Sequence, residues 1–256
     1  MRSAFVGAEP DSTATANGHG SGPAGRIALV SGGNRGLGLQ IVRELADRGL
    51  RVVLGARSVR SGQIAVELLE DLADRVAVRQ LDVTDAVSVA RLANWLDWRL
   101  GGCDVLVNNA AVLLEHDLDT AASMDLDIVR RALETNLIGT MRPTQAIVPL
   151  MRARRYGRIV NISSGLATLS SMRKGLPAYR VSKAAVNALT RVLADELAED
   201  SILVNACCPG PANIDSRDGH HSIEMSSSAK TAVWLATLPD GGPTGGFYSG
   251  RSTVAG

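Results

Sequence analysis

Tyr179 and Lys183 are four positions apart in the segment YRVSK, at the start of a predicted amphipathic helix that follows Pro177. Residues four apart share a helix face, so the phenol and the ammonium group should point the same way. A nearby cation favours phenolate and should lower the tyrosine pKa from about 10, which suits a general acid or base. The spacing also arises by chance in helices. However, the chain has only three lysines, at 174, 183 and 230.

A glycine-rich turn lies between a predicted strand and a predicted helix. The apolar run Ile27–Ser31 predicts a buried strand, and glycines at 32, 33, 36 and 38 follow it directly. Glycines at a helix N-terminus let a pyrophosphate reach the unpaired backbone N–H groups without a Cβ in the way. The expected ligand is a dinucleotide, although a plain strand-to-helix turn can carry the same glycines.

Two arginines indicate which dinucleotide. The second predicted strand, 51–56, ends at Arg57, and the glycine turn carries Arg35. In a dinucleotide fold this strand end faces the adenosine ribose, where a cation accommodates the 2′-phosphate of NADP. Two guanidiniums near one point repel each other unless an anion lies between them. The pair therefore suits a bound phosphate group, with Arg60 as an additional contact; solvated surface arginines are the alternative interpretation.

Polar residues end the next three predicted strands, 76–81, 104–111 and 158–164, where ligands of open parallel sheets bind. These residues are Asp82 followed by Val83, Asn108 with Asn109, and Ser163 with Ser164. Asp82 has a second interpretation as the cap of the following helix. A sixth predicted strand, 201–207, leads into Pro209 and Gly210.

In this order, the motifs resemble those of the short-chain dehydrogenase/reductase family over residues 26–251. Its Thr-Gly-x-x-x-Gly-x-Gly turn is matched with Ser31 in place of threonine, and its Asn-Asn-Ala-Gly motif with Ala111 in place of the last glycine. Ile214 is a further departure, because relatives usually have a threonine there. The basic pair Arg35 and Arg57 is similar to that of carbonyl-reductase-type members.

The resemblance implies a single α/β domain with a Rossmann-like, doubly wound parallel sheet of about seven strands. It implies a catalytic tetrad of Asn136, Ser164, Tyr179 and Lys183, in which Asn136 holds a water linking the lysine to solvent. It also implies that NADPH contacts Gly32, Asn34, Arg35, Gly36, Leu37, Gly38, Arg57, Asp82, Val83, Asn109, Ala110, Tyr179, Lys183, Pro209 and Gly210.

We therefore predict an NADPH-dependent oxidoreductase that reduces a ketone or aldehyde, with Tyr179 as the proton donor. Oxidation of an alcohol with NADP⁺ and an atypical biosynthetic reaction at the same site are alternatives. A catalytically silent dinucleotide-binding partner protein is a third. Silent relatives commonly lose the tyrosine or the lysine, and both are present here.

Composition limits the other classes of function. A chain of 256 residues with 45% hydrophobic residues favours one sizeable domain. The net charge of +1, without a basic stretch interleaved with aromatics, argues against a nucleic-acid partner. No apolar run is long enough for a membrane span.

Cysteines 103, 207 and 208 lack metal-ligand spacing, and His220 with His221 has no evident third ligand. We expect no metal and a reducing, cytoplasmic location.

Residues 1–25 are rich in small and polar types and predict a disordered tail before a reductase domain over 26–256. The polar segment 211–228 predicts an irregular substrate lid.

A long helical stretch over 125–151 should kink or end its first half at Pro143. The resemblance implies a homodimer or homotetramer through the helices that carry Asn136 and Tyr179. The short interval from Ser164 to Tyr179 excludes the insertion that keeps some carbonyl reductases monomeric.

Overall fold

The computed structural model describes residues 25–116, 118–209 and 223–254. The strands in these ranges are β1 Ile27–Ser31, β2 Arg51–Ala56, β3 Val76–Gln80, β4 Val105–Asn108, β5 Gly157–Ile162, β6 Ile202–Cys208, β7 Phe247–Ser249 and β8 Ser252–Thr253. The α-helices are α1 Gly36–Asp47, α2 Val59–Glu67, α3 Ala86–Leu100, α4 Leu126–Leu133, α5 Gly139–Arg154, α6 Pro177–Glu196 and α7 Ile223–Ala236. Short 3₁₀ turns cover Glu70–Arg75, Gly165–Ala167, Leu169–Ser171 and Ala198–Asp200, and a π-helical segment covers Glu134–Ile138.

The strands form one sheet in the order β3-β2-β1-β4-β5-β6-β7-β8. Strands β1 to β7 pair in parallel, and the direction of winding reverses where β1 lies between β2 and β4. Sheets of this kind bind ligands beyond the carboxyl ends of the strands at such a reversal. The predicted doubly wound parallel sheet is confirmed.

Strand β8 is an addition to the seven strands predicted. It pairs with β7 in antiparallel fashion, with Tyr248 opposite Thr253 and Ser249 opposite Ser252. Gly250, between the two strands, has a φ of +63°, a conformation that glycine adopts without steric cost and that permits a tight reversal.

Side chains of β1 alternate between two apolar cores, one on each face of the sheet. Ala28 and Val30 pack into a core shared with α1 and α7, whereas Ile27 and Leu29 pack into a core shared with α3 and α5. This alternation follows from the two-residue period of a strand. The helices therefore cover both faces, and the carboxyl ends of the strands remain as the place for a site.

The long helical stretch changes its geometry before its proline. Helix α4 ends at Leu133, the π-helical segment follows, and Pro143 lies inside α5. The prediction that the first half of this stretch ends at Pro143 is therefore wrong, whereas a kink at Pro143 stays a prediction. Within this region the Thr140 hydroxyl donates a hydrogen bond to the carbonyl oxygen of Asn136 at 2.8 Å. This bond gives the carbonyl a partner where the π-helical segment interrupts the regular α-helical hydrogen bonds.

Parts of two predicted segments lie outside the described residues. These are positions 1–24 of the predicted tail and positions 211–222 of the predicted lid. Helix α7 begins at Ile223, so the irregular segment expected over 211–228 ends earlier than predicted. Within the described ranges, no helix combines the length and the apolar character needed to cross a bilayer.

Candidate active site

The turn between β1 and α1 has a backbone that requires glycine. Gly32 and Gly36 have φ values of +63° and +53°, in the left-handed region. A Cβ on Gly38 would lie 2.2 Å from the carbonyl oxygen of Gly32 and 2.5 Å from Nδ2 of Asn109. No side chain fits at Gly38, so the first turn of α1 packs directly on the end of β1.

Strand β4 is tied to this turn through Ser31 and Asn109. The Ser31 hydroxyl accepts hydrogen bonds from the backbone N–H groups of Asn109 and Ala110, at 2.9 and 3.0 Å. The Asn109 side chain in turn donates to the carbonyl oxygens of Ser31 and Gly32, at 2.9 and 3.1 Å. These contacts show that Asn109 positions the glycine turn, a role that the sequence analysis did not assign to it.

The N-terminus of α1 is available to an anion. Arg35 is its N-cap residue and makes no side-chain hydrogen bond to the helix. Backbone N–H groups in the first turn therefore lack a side-chain cap, and they carry the positive end of the helix dipole. Together with the glycine backbone, this arrangement fits the pyrophosphate of a dinucleotide.

The predicted phosphate-binding arginines, Arg35 and Arg57, are both exposed. Asn34 links their two segments, because its Nδ2 donates to the Ser61 hydroxyl of α2 at 3.3 Å. Leu37, on the first turn of α1, packs instead against the apolar core. The exposed guanidiniums can accept a phosphate without leaving a buried charge.

Asp82, at the end of β3, does not cap the next helix. Its Oδ1 accepts from the N–H and the hydroxyl of Thr84, at 2.9 and 2.7 Å. The cap of α3 is Asp85, so the capping interpretation of Asp82 is wrong. Burial alone would raise the pKa of the Asp82 carboxyl, but the Thr84 hydrogen bonds and the nearby charges of Arg57 and Arg142 hold it below its usual value.

Val83 and Ala111 occupy contrasting environments. The Val83 side chain is buried, and a Cβ on Gly139 of α5 would lie 2.7 Å from it. Val83 therefore packs between the sheet and α5. Ala111 is exposed and is absent from the residues with positive φ in the described chain, so its backbone does not require the glycine usual at that position.

Lys183 is buried on the second turn of α6. Its Nζ donates to the carbonyl oxygen of Ile162 at 2.7 Å and lies 5.9 Å from the centroid of the Tyr179 ring. Burial lowers the pKa of the lysine from 10.5 to about 8. The predicted pair therefore does share one helix face.

The expected lowering of the Tyr179 pKa is wrong for the protein without cofactor. Burial of the phenol raises its pKa above 10, and a hydrogen bond with Ser164 offsets this only in part. The Lys183 ammonium group bonds to the carbonyl oxygen of Ile162, and desolvation remains the largest effect on the Tyr179 pKa. Tyr179 is thus protonated at neutral pH, as a proton donor must be.

Ser164 lies at the end of β5, at the start of the 3₁₀ turn Gly165–Ala167. Its hydroxyl accepts from the N–H of Leu166 at 3.2 Å and hydrogen-bonds to the Tyr179 phenol. The next N–H, of Gly165, donates to Sγ of Cys208 on β6 at 3.1 Å. Strands β5 and β6 therefore both hold the serine beside the tyrosine.

Asn136 is fully buried, and its side chain bonds to protein groups. Its Oδ1 accepts from the N–H of Val112 at 2.8 Å, and its Nδ2 donates to the Val112 carbonyl oxygen at 3.0 Å and to the Ser182 hydroxyl at 2.9 Å. The loop after β4, the π-helical segment and α6 thus meet at this residue.

Two residues next to the tetrad were missed by the sequence analysis. Glu115 accepts the backbone N–H of Tyr179 at 2.6 Å, and Arg180 donates to the carbonyl oxygens of Gly175, Leu166 and Ser171, at 2.8, 3.3 and 3.2 Å. Arg180 lies inside the YRVSK motif, so its position next to Tyr179 could have identified it as a residue of the site. The only signal for Glu115 was a carboxylate directly after the apolar run VLL.

The remaining predicted contacts lie partly beyond the described ranges. Pro209 is half-buried at the end of β6, whereas Gly210, Ile214 and the pair at 220 and 221 lie outside the described residues. Among the residues that the structure does describe, no three His, Cys, Asp or Glu side chains form a group able to hold a metal ion.

Known proteins share both this sequence pattern and this fold. The family model described as "short chain dehydrogenase" matches residues 26–222. The chain is 38% identical to carbonyl reductase [NADPH] 3 of Homo sapiens, over 84% of this chain and 91% of that protein. It is 30% identical to (-)-isopiperitenone reductase of Mentha piperita, over 90% and 98%.

Solved structures agree with this similarity. Salutaridine reductase from Papaver somniferum superposes with a TM-score of 0.76 at 28% identity, covering 87% of this chain and 99% of that one. Menthone neomenthol reductase from Mentha piperita gives a TM-score of 0.73, also at 28% identity, over 87% and 98%. The match extends over nearly the whole length of each of these proteins.

Proposed function

The chain belongs to the short-chain dehydrogenase family, and we propose that it reduces a ketone or aldehyde to an alcohol with NADPH. The observation that carries the proposal is the half-buried Tyr179, whose phenol hydrogen-bonds to Ser164 at the strand edge where the glycine turn also lies. The relative named as an NADPH carbonyl reductase supports the cofactor and the carbonyl substrate.

In this proposal the glycine turn and the N-terminus of α1 hold the pyrophosphate. Arg35 and Arg57 bind the 2′-phosphate, Asp82 and Val83 contact the adenine, and Asn109 with Ala110 lies beside the turn. Further contacts come from Pro209, Gly210, Tyr179 and Lys183. NADPH supplies the hydride when it is bound, and the protein contributes orientation and electrostatics.

Ser164 and Tyr179 donate hydrogen bonds to the substrate carbonyl oxygen, where negative charge develops during reduction. Tyr179 then gives its proton to that oxygen as a general acid. Lys183, with a pKa of about 8, can take or release a proton near neutral pH and so restores the tyrosine. Oxidation of an alcohol would use the same groups in reverse. All four tetrad residues are present, which argues against a silent partner protein.

Replacing Tyr179 with Phe tests this proposal. Loss of the proton donor should lower turnover by about 10²- to 10⁴-fold in a panel of ketones, aldehydes and quinones, with NADPH binding retained. Tyr156→Phe is the matched control, since the buried Tyr156 hydroxyl has no hydrogen-bond partner among the described residues. Undiminished turnover in the Tyr179→Phe protein would refute the assignment.

The oligomeric state and the cellular location are also proposals. We infer a homodimer or homotetramer through the helices that carry Asn136 and Tyr179, because α6 exposes the apolar side chains of Val181 and Val192. Analytical ultracentrifugation of the purified chain tests this, and a monomer would contradict it. A cytoplasmic location is supported by Cys103 and Cys207, which are buried and form no disulfide, and cell fractionation tests it.

A further inference from the structure

Helix α6 carries the catalytic tyrosine but lacks a cap of its own. Its N-cap residue, Leu176, has a φ of +52° and a side chain that cannot accept a hydrogen bond. Pro177 follows and has no N–H, and the first helical bond runs from Arg180 to the Leu176 carbonyl at 2.9 Å. The N–H of Tyr179 therefore needs an acceptor from elsewhere in the chain.

Glu115 supplies that acceptor from the loop after β4. Its Oε1 accepts the Tyr179 N–H at 2.6 Å across 64 positions of sequence, and its side chain is only 6% exposed. Its Oε2 is buried and has no partner among the described residues. Burying a carboxylate with one oxygen unpaired is costly, so one strong bond to a helix N-terminus must compensate.

This bond closes a ring of contacts around the tyrosine. The Tyr179 carbonyl oxygen accepts from the Ser182 hydroxyl at 2.8 Å, and Ser182 accepts from Asn136 at 2.9 Å. Asn136 bonds to both backbone groups of Val112, three residues before Glu115. The backbone of Tyr179 is thus held at its N–H by Glu115 and at its carbonyl by Ser182.

We propose that Glu115 is a positioning residue for Tyr179, which fixes the first turn of α6 and so sets the place of the phenol beside Ser164. Ser182 and Asn136 fix only one side of the tyrosine backbone. Without Glu115, the first turn can open toward Leu176, and the phenol moves relative to Ser164. Misplacement of a catalytic group lowers the rate of the chemical step more than it affects cofactor binding. This inference rests on the proposed function, in which Tyr179 is the proton donor.

The test compares Glu115→Leu, which removes the acceptor, with Glu115→Gln, which keeps an oxygen at the same reach. We expect the Leu variant to lose at least about tenfold in kcat, with a much smaller change in the Kd for NADPH, because the glycine turn that holds the pyrophosphate is a separate element. The Gln variant should regain most of the wild-type kcat. A wild-type kcat in the Leu variant, or a Gln variant as impaired as the Leu variant, would overturn the proposal.

A matched control removes a helix cap that has no contact with the tetrad. Asp85 accepts the N–H of Val87 at 2.9 Å at the start of α3, so Asp85→Ala loses a comparable bond. It should lower thermal stability while leaving kcat unchanged. If Glu115→Leu does not fold, Glu115→Asp replaces it, because an oxygen retracted by one methylene cannot reach Tyr179. Wild-type kcat in the Asp variant would likewise refute the proposal.

Hydrogen exchange separates this inference from the proposed reaction. The Tyr179 amide should exchange about tenfold faster in the Leu variant than in the wild type, and as slowly as the wild type in the Gln variant. This readout needs no substrate. Faster exchange in a protein that reduces no carbonyl would leave the positioning role standing and refute the function. Equal exchange in all three proteins would refute the positioning role alone.

Discussion

Lys183 and Ile162 are joined by a 2.7 Å hydrogen bond from the buried ammonium group to the last carbonyl of β5. This bond partly replaces the water that the ammonium group loses, but burial still lowers its pKa from 10.5 to about 8. The Lys183 side chain can therefore gain or lose a proton near neutral pH.

The lowered pKa makes stability depend on pH in a defined direction. Between pH values of about 8 and 10.5 the unfolded chain binds the Lys183 proton more strongly than the folded chain. The free energy of unfolding should therefore rise with pH across this window, by about 3 kcal/mol from this group. Denaturant titrations at a series of pH values give this free energy for the wild type and for Lys183→Met. Across this pH window, the difference between the two proteins should change by this amount. Parallel curves would show that Lys183 titrates normally.

The raised pKa of Tyr179 gives a second prediction for the protein without cofactor. Since burial disfavours phenolate, the phenol should remain protonated up to pH values above about 10. Ultraviolet difference titration of the wild type against Tyr179→Phe isolates its phenolate signal. A midpoint below 10 would mean that a cation stabilises the phenolate, as the sequence alone suggested.

Arg57→Asp should reverse the choice of cofactor. Losing the charged contact to the 2′-phosphate should weaken NADPH binding by about ten- to a hundredfold, while the new carboxylate can accept the 2′-hydroxyl of NADH. Fluorescence titration with both cofactors measures this. Arg91→Asp makes the same change of charge at an exposed position of α3 and should leave both affinities unchanged. Equal NADPH affinity in the wild type and in Arg57→Asp would rule out this site for the phosphate.

Arg180→Lys should loosen the segment between the serine and the tyrosine. The guanidinium donates to three carbonyl oxygens of that segment, at Gly175, Leu166 and Ser171, and an ammonium group cannot match this planar geometry. We expect a higher KM for the carbonyl substrate, with unchanged NADPH affinity and faster proteolysis within 165–176. Arg173→Lys, at an exposed position of the same segment, is the control. An unchanged KM would show that this clamp does not shape the substrate site.

Local signals in the sequence were sufficient for the sheet and the glycine turn. The strands β1 and β2 have the predicted bounds because continuous apolar runs between turn residues are typical of strands that a parallel sheet buries on both faces. Gly38 was identifiable because a strand, a close turn and a helix leave no room for a Cβ. The order of the motifs was enough to predict the family, the fold and the tetrad.

Only the tertiary structure decided how the tetrad is held and charged. Glu115 reaches Tyr179 across 64 positions, and no local pattern encodes a contact between a loop and a distant helix. The Tyr179 pKa depends on burial by several elements at once, so helical spacing with Lys183 gave the wrong direction. The position of the helical break and the burial of Val83 depend in the same way on packing between elements. Residue types and spacing determined which groups are present, whereas long-range packing determined their partners and their protonation.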